Sequence, residues 1–278
     1  MLISEVFGRG VSDVSAGATA TRDAKLCPIK GTNCTKSSKS NPIGVCSLSD
    51  GVEAAAICPT RFLENDRIFF DAAKIAFGSN CEIGVFPEVR ILRILTNEDS
   101  KSNKIGKVDF LIGKIESGKV VDFAAVEVQA SYFSGREIRS PLNYFLKHKS
   151  LDVINSDRRP DFRSSAQKRL IPQLQLKVPV FRRWGKKFFV VVDTQFFRSL
   201  PNMKTTTLTN SEVIWLGYPI KSIGNSYIMQ DPNVVGTQWD DVVTSLREGI
   251  APETQEIFDE LQSKLSVVGA KKPKTFVI

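Results

Sequence analysis

The stretch Val120-Val121-Asp122-Phe123-Ala124-Ala125-Val126-Glu127-Val128-Gln129 decides how the rest of the chain is read. It is short, apolar and rich in β-branched and aromatic residues, as a strand inside a sheet is. The period of two sends Glu127 and Gln129 to one face and Val128 to the other, toward a core. Just upstream, Glu116-Ser117-Gly118-Lys119 has the chemistry of a tight turn, and Val108 to Ile115 repeats the strand pattern before it. Val85 to Leu95 alternates in the same way. A β-meander over residues 85–130 is therefore expected.

Outward from the meander the period changes. Phe62, Leu63, Ile68, Phe69, Ala72, Ala73, Ala76 and Phe77 fit one face of a helix over 62–77. Pro141 to Ile154 is expected to be helical. Asp161 is placed to cap a basic helix running toward Trp184, kinked or interrupted by Pro172 and Pro179. Phe188 to Phe196 and Val213 to Ile220 read as strands, the first buried on both faces. Trp239 to Arg247 and Pro252 to Leu265 read as helices, the second with Pro252 in its first turn. The basic tail from Lys271 is expected to fray. No internal repeat is visible. At 278 residues, 42% of them hydrophobic, the chain can fill a real core.

Four of the five cysteines, Cys27, Cys34, Cys46 and Cys58, share a Gly-, Ser-, Thr-, Lys- and Asn-rich stretch with little periodicity, which is not expected to build a core of its own. No segment reaches the roughly 18 consecutive apolar residues of a membrane span, and Met1 to Gly8 lacks a basic start followed by an apolar run. The expected location is therefore the cytoplasm. There disulfides are disfavoured, and four thiolates around one tetrahedral metal explain how such a loop is held. Unrelated cysteines in one loop, or a redox thiol, are the competing readings, since the spacings contain no CxxC knuckle.

Lys and Arg outnumber Asp and Glu by 38 to 30, for a net charge of +8, which suits a polyanionic partner. The single histidine, His148, argues against His-based hydrolysis, so hydrolytic chemistry must rest on carboxylates, Cys or a hydroxyl. Asp109 and Glu127, on neighbouring strands of the expected hairpin, are the pair that suits it. Phosphodiester hydrolysis with Mg²⁺ needs oxygen ligands at fixed separation, and carboxylates on adjacent strand ends supply them. Gln129 stands where many enzymes of this type carry lysine; it can orient an attacking water but brings no charge. Glu88 is a further candidate, against the plainer reading of an exposed strand glutamate. Asp109, Glu127 and Gln129 also have a plain reading as solvated strand residues, in which case the chain is a Cys₄ DNA-binding protein without hydrolysis.

The ordered segments Leu26-Cys27-Pro28, Cys34-Thr35-Lys36, Gly44-Val45-Cys46-Ser47 and Ile57-Cys58-Pro59-Thr60-Arg61 resemble the four-cysteine signature of the NotI-type restriction endonucleases. Ile3-Ser4-Glu5-Val6-Phe7-Gly8 resembles that family's opening. Val126-Glu127-Val128-Gln129 with Tyr132-Phe133-Ser134-Gly135 resembles its catalytic strand, and Gln167-Lys168-Arg169 with Gln173 its later basic helix. The resemblance covers roughly residues 1–200. It implies an α/β (α+β) fold: a PD-(D/E)xK nuclease core with a mixed central sheet flanked by helices. An N-terminal arm and Cys₄ region would span 1–61 and the nuclease domain 62–278. It also implies Mg²⁺-dependent cleavage of double-stranded DNA, a structural iron or zinc on the cysteines, and a homodimer on a palindromic, GC-rich site. Asp109 and Glu127 would hold the magnesium, with Gln129 and Glu88 completing the catalytic set. The chain is much shorter than the eight-base cutter of this family, and its inter-cysteine loops differ in length.

A basic face over Lys168, Arg169, Lys177, Arg182, Arg183, Lys186 and Lys187 is expected to neutralise DNA phosphates, a solvated basic helix being the alternative. Arg136 and Arg139 follow the catalytic strand and are the candidate guanine readers, in competition with Arg158, Arg159 and Arg163. The Cys-rich loop brings Lys30, Lys36 and Lys39 toward the same cleft.

Overall fold

The computed structural model describes residues 1–38, 40–96, 99–135, 138–149, 159–247 and 252–266, with 273 and 275; at 93–96 and 99–105 it describes the backbone alone. Its principal elements are β1 (Leu2–Val6), β2 (Val45–Ser49), β3 (Ala54–Ala56), α1 (Arg67–Phe77), β4 (Glu82–Thr96), β5 (Asp99–Glu116) and β6 (Lys119–Val128). They continue with α2 (Arg139–His148), α3 (Ile171–Arg183), β7 (Phe188–Asp193), β8 (Val213–Tyr218), β9 (Asn233–Thr237), α4 (Trp239–Arg247) and α5 (Thr254–Leu265). Residues 1–246 form one compact unit and 247–278 a second.

The apolar run at 120–128 becomes β6, an interior strand, beside the central β7, of a seven-stranded mixed sheet ordered Thr205–Thr206, β9, β8, β7, β6, β5, β4. The expected meander is present: β4, β5 and β6 pair antiparallel in sequence, and Ser117 (φ 49) and Gly118 (φ 73) make the two-residue turn between paired Glu116 and Lys119. Both turn residues are left-handed, as a turn that follows the twist of a hairpin requires. β7 lies between β6 and β8, parallel to both, and all its residues are buried. Parallel strands are covered on both faces, which is why Phe188 to Val192 reads as a continuous apolar run rather than an alternation.

One face of the sheet packs Phe189, Val191, Ile112 and Val126 against Ile68, Phe69, Ala72 and Ala73 of α1. The other packs Ala125, Phe188, Val190 and Val192 against Leu174, Val178 and Phe181 of α3 and against Trp239 and Val242 of α4. The result is a mixed α/β core with helices on both sides. Among the described residues no helix is long and apolar enough to cross a membrane.

Several boundaries move for local reasons. The helix expected from Phe62 starts at Arg67, because Asn65 and Asp66, both at φ 55, break the preceding 3-10 turn. The strand expected to reach Phe196 stops at Asp193, whose carboxylate accepts from Phe196 N at 2.8 Å and starts a short helix. Pro252 precedes the capping residue Glu253 of α5 and so lies outside its first turn. Asp161 does cap, taking Ser164 N at 2.9 Å, and helical residues then run from Phe162 to Arg183 through a π turn at Ala166–Leu170, beside Pro172. The helix expected at 141–154 is α2, and 150–158 lies outside the described residues, as does the tail from 271 but for 273 and 275.

The cysteine-bearing region contributes to a core that it shares with β1 and α2. Val45, Leu48 and Ile57 join Ile3, Val6 and Phe7, and Ile138, Leu142 and Phe145 at and beside α2 complete the cluster. The isolated apolar residues suffice because the helix supplies the other half. Nearby, Arg61 is 1% exposed; its guanidinium meets Glu5 at 2.9 Å, Glu64 at 2.7 Å and the Tyr227 carbonyl at 2.6 Å. Arg61→Ala would leave Glu5 buried without its cation. A loss of about 3–5 kcal/mol in urea unfolding is expected; a loss near zero would mean that this network carries no load.

Candidate active site

The pairing of Phe110 with Val126 sets Asp109 beside Glu127 where β5 and β6 meet. Each carboxylate takes an amide from the other strand: Val128 N donates to Asp109 Oδ2 at 3.0 Å, and Asp109 N lies 3.4 Å from Glu127 Oε2. The far side of β6 is locked by β7, with Gln129 N donating to Val191 O at 2.9 Å. Ser131 N donates to Ala56 O at 2.8 Å, and Ala56 N donates to Asp193 Oδ2 at 3.1 Å, so β3 braces the end of this strand.

A cavity of about 660 Å³ opens here, lined by Lys30, Lys36, Glu88, Asp109, Gln129, Tyr132, Arg169 and Gln173, among others. Gln129 is buried in its wall, its amide donating to Ala130 O at 2.5 Å. Glu88 lies opposite Asp109, between the pairs Pro87–Phe110 and Val89–Val108, at a left-handed φ of 58°. Such a conformation costs of order 1–3 kcal/mol and clusters at functional sites. Its exposed carboxylate pairs with Lys107 at 2.7 Å, and that ammonium holds its pKa below the usual range.

Glu127 lies beneath the cleft, 2% exposed. Its Oε1 accepts from Lys177 Nζ at 2.6 Å, and the same ammonium reaches Gln173 Oε1 at 2.9 Å. Burial, and then the charge of Asp109, push Glu127 up to about 7 against the pull of Lys177. A raised folded pKa means a contribution present below the unfolded value and lost as pH rises through the folded one. Metal-free protein is therefore expected to lose stability as pH climbs from about 4.5 past about 7, and Glu127→Gln to fall less steeply, keeping only the share of Asp193, which burial also pushes up to about 7. Thermal midpoints across this range check it; parallel curves for the two proteins would contradict it.

The basic residues divide. Arg169 stacks over Tyr132 at 4.4 Å and lines the cleft, and Lys168 beside it is exposed. Arg182 pairs with Glu212 at 2.8 Å and Asp240 at 3.1 Å, and with exposed Arg183 it sits ~20 Å along the helix from Arg169 at 1.5 Å per residue. Lys186 pairs with Asp122, and Lys187 caps the carbonyls of Leu208, Thr209 and Ser211. Lys177, expected on the DNA-facing side, is buried against Glu127 instead, a correction that its apolar neighbours Leu174, Val178 and Phe181 explain. Arg139 touches the Asn41 carbonyl at 3.3 Å; Arg159 and Arg163 are exposed. Arg136, Arg158 and Lys39 lie outside the described residues.

All four cysteines of the N-terminal stretch, none in a disulfide, line one cavity of about 260 Å³. Gly8 N, at a left-handed φ of 68°, donates to Cys46 Sγ at 3.2 Å. Lys36 donates to the Ile57 carbonyl and lines both this cavity and the cleft. Burial pushes the Cys46 thiol well up and the Cys34 thiol up. The donor set suits a tetrahedral thiolate-bound ion, yet among the described residues no group of three or more His, Cys, Asp or Glu closes to ligand spacing.

The sequence model of one family, described as Restriction endonuclease NotI, matches residues 5–228, a span that holds the four cysteines, Asp109, Glu127, Gln129, Arg169 and Lys177. No curated protein and no solved structure matches the chain.

Proposed function

Because the chain belongs to the NotI restriction endonuclease family, and is thus a type II site-specific deoxyribonuclease acting on DNA, we propose that it cuts both strands of a duplex at the Asp109–Glu127 strand ends with Mg²⁺. The observation that carries this reading is the juxtaposition of the two carboxylates, each fixed by the other strand's amide, at the base of a cleft lined by Lys30, Lys36 and Arg169. Mg²⁺ is commonly held by one or two carboxylates, with phosphate oxygens and water completing the shell, so this donor set fits it. A divalent ion there would supply Lewis-acid polarisation of the phosphodiester and lower the pKa of water at the site.

The chain's own residues do the rest. Asp109 and Glu127 present oxygens at a separation set by strand pairing. Gln129 offers an amide to orient the attacking water. Lys30, Lys36 and Arg169 neutralise phosphates, and Lys168 extends that surface. Glu88, opposite Asp109, is proposed as a further acidic member of the site. Arg136 and Arg139 are proposed as base readers, and Arg182 and Arg183 as outlying phosphate contacts.

The same reading takes the core at 62–278 as a PD-(D/E)xK nuclease and 1–61 as an N-terminal arm with a structural iron or zinc on Cys27, Cys34, Cys46 and Cys58. It places a homodimer on a palindromic, GC-rich site in the cytoplasm. Digestion of DNA of known sequence with Mg²⁺, followed by end mapping, tests it. Identical ends at one symmetric sequence are expected. Ragged ends would point to a broader nuclease, and a gel shift with no cutting at any divalent ion to a DNA-binding protein without hydrolysis.

A further inference from the structure

We propose that Lys177 is a positioning residue for the reaction, bringing to Glu127 from α3 the positive charge that Gln129 does not bring from just beyond β6. The inference rests on reading Asp109 and Glu127 as the catalytic carboxylates.

Lys177 is 4% exposed and sits on the buried stripe Leu170, Leu174, Val178 and Phe181, whose other members are all apolar. A buried ammonium is tolerated only when paired and hydrogen-bonded. Both partners are present: Glu127 Oε1 at 2.6 Å, and Gln173 Oε1, one helical turn earlier, at 2.9 Å. The second contact fixes the ammonium in place, because Gln173 is itself anchored on α3 and reaches the cleft wall.

The geometry divides the work of the Glu127 carboxylate. Oε1 is held by Lys177 from the helix side, while Oε2 faces the Asp109 amide. Two carboxylates side by side repel, and a fixed cation behind one of them offsets part of that repulsion and holds its carboxylate in one orientation. As a purely stabilising feature the pair would be a poor choice, since a buried ion pair is often no better than the apolar residues that could replace it. Its place directly behind the site gives it a use. The lysine that the Glu127-Val128-Gln129 strand lacks is thus supplied from outside the strand.

The test compares Lys177→Gln, which keeps a donor and removes the charge, with Lys177→Arg, which keeps the charge. Mn²⁺ affinity is measured by calorimetry without DNA, and single-turnover cleavage is measured across Mg²⁺ concentrations. Lys177→Gln is expected to weaken Mn²⁺ binding and slow cleavage by about 10- to 100-fold each, the usual effect of losing a partner behind a metal ligand, with DNA affinity in the absence of divalent ions unchanged. Lys177→Arg should recover most of both. Wild-type Mn²⁺ affinity in Lys177→Gln, with or without lost thermal stability, would overturn the proposal, as would an equal loss in Lys177→Arg. If Lys177→Gln does not fold, Lys177→Met is measured with the same two outcomes. Glu127→Gln in the same assays separates the claims: if it still cleaves, the reading of the site fails, and if it is inactive while Lys177→Gln cuts normally, only the role of Lys177 fails.

Discussion

A Glu127→Gln protein is expected to bind DNA and not cut it, with a rate at least about 1000-fold below wild type. An ion at such a site contributes several kcal/mol of transition-state stabilisation, and each ~1.4 kcal/mol is a factor of ten in rate. In the proposed site Glu127 supplies one of the two paired carboxylates, so its amide isostere removes a charged oxygen donor from beside Asp109. The isostere matters. Glu127→Ala would strand the Lys177 ammonium in the core, and breaking a buried pair costs about 3–5 kcal/mol. Glutamine keeps an oxygen toward Lys177, so a folded protein with intact DNA affinity is the expected background. Retained cleavage would move the site elsewhere.

The second large effect is expected at the cysteines. Replacing Cys46, or Cys27, with serine should abolish bound iron or zinc and soluble fold together. Thiolate-bound structural ions contribute about 10–16 kcal/mol to small domains, as much as or more than the about 5–15 kcal/mol by which whole proteins are stable. Cys46 is the buried member of the four; it accepts from Gly8 N, and its carbonyl takes the amides of Ile57 and Cys58. Serine keeps that carbonyl and removes only the sulfur, so the variant loses the Gly8 contact and one of the four thiols that line the cavity. Elemental analysis and circular dichroism on the same sample check this. A folded, active and metal-free variant would contradict the structural-ion reading.

The sheet was largely legible because its signals are local. Period-two alternation and the Ser117-Gly118 turn set β5 beside β6, and a one-residue bulge between the pairs Ile115–Val120 and Lys114–Asp122, which no local pattern marks, then brings Asp109 to Glu127 across 18 residues of sequence. The short strands escaped notice. Val45-Cys46-Ser47-Leu48-Ser49 is buried throughout, yet its serines read as loop, since Ser47 and Ser49 find partners only in the folded chain, at Glu5 and the Glu53 carbonyl. β9 offers only Val234 and Val235 as a pattern.

Lys177 was misread for a different reason. In a segment holding Lys168, Arg169, Arg182, Arg183, Lys186 and Lys187, charge alone groups it with its neighbours. Helical spacing sorts them: Leu170, Leu174, Lys177, Val178 and Phe181 share the buried face, and a lysine on such a stripe signals a buried carboxylate partner. The partner itself lies 50 residues away in sequence, on β6, and no local pattern names it.

On the proposed mechanism, carboxylate-held divalent ions, rather than any other group, make this protein a DNA-cutting enzyme. Stripped of loosely bound divalent ions and mixed with plasmid, the protein should leave the DNA whole, and added Mg²⁺ should yield discrete fragments that Glu127→Gln does not produce. Discrete fragments without divalent ions, or from Glu127→Gln protein, would contradict it.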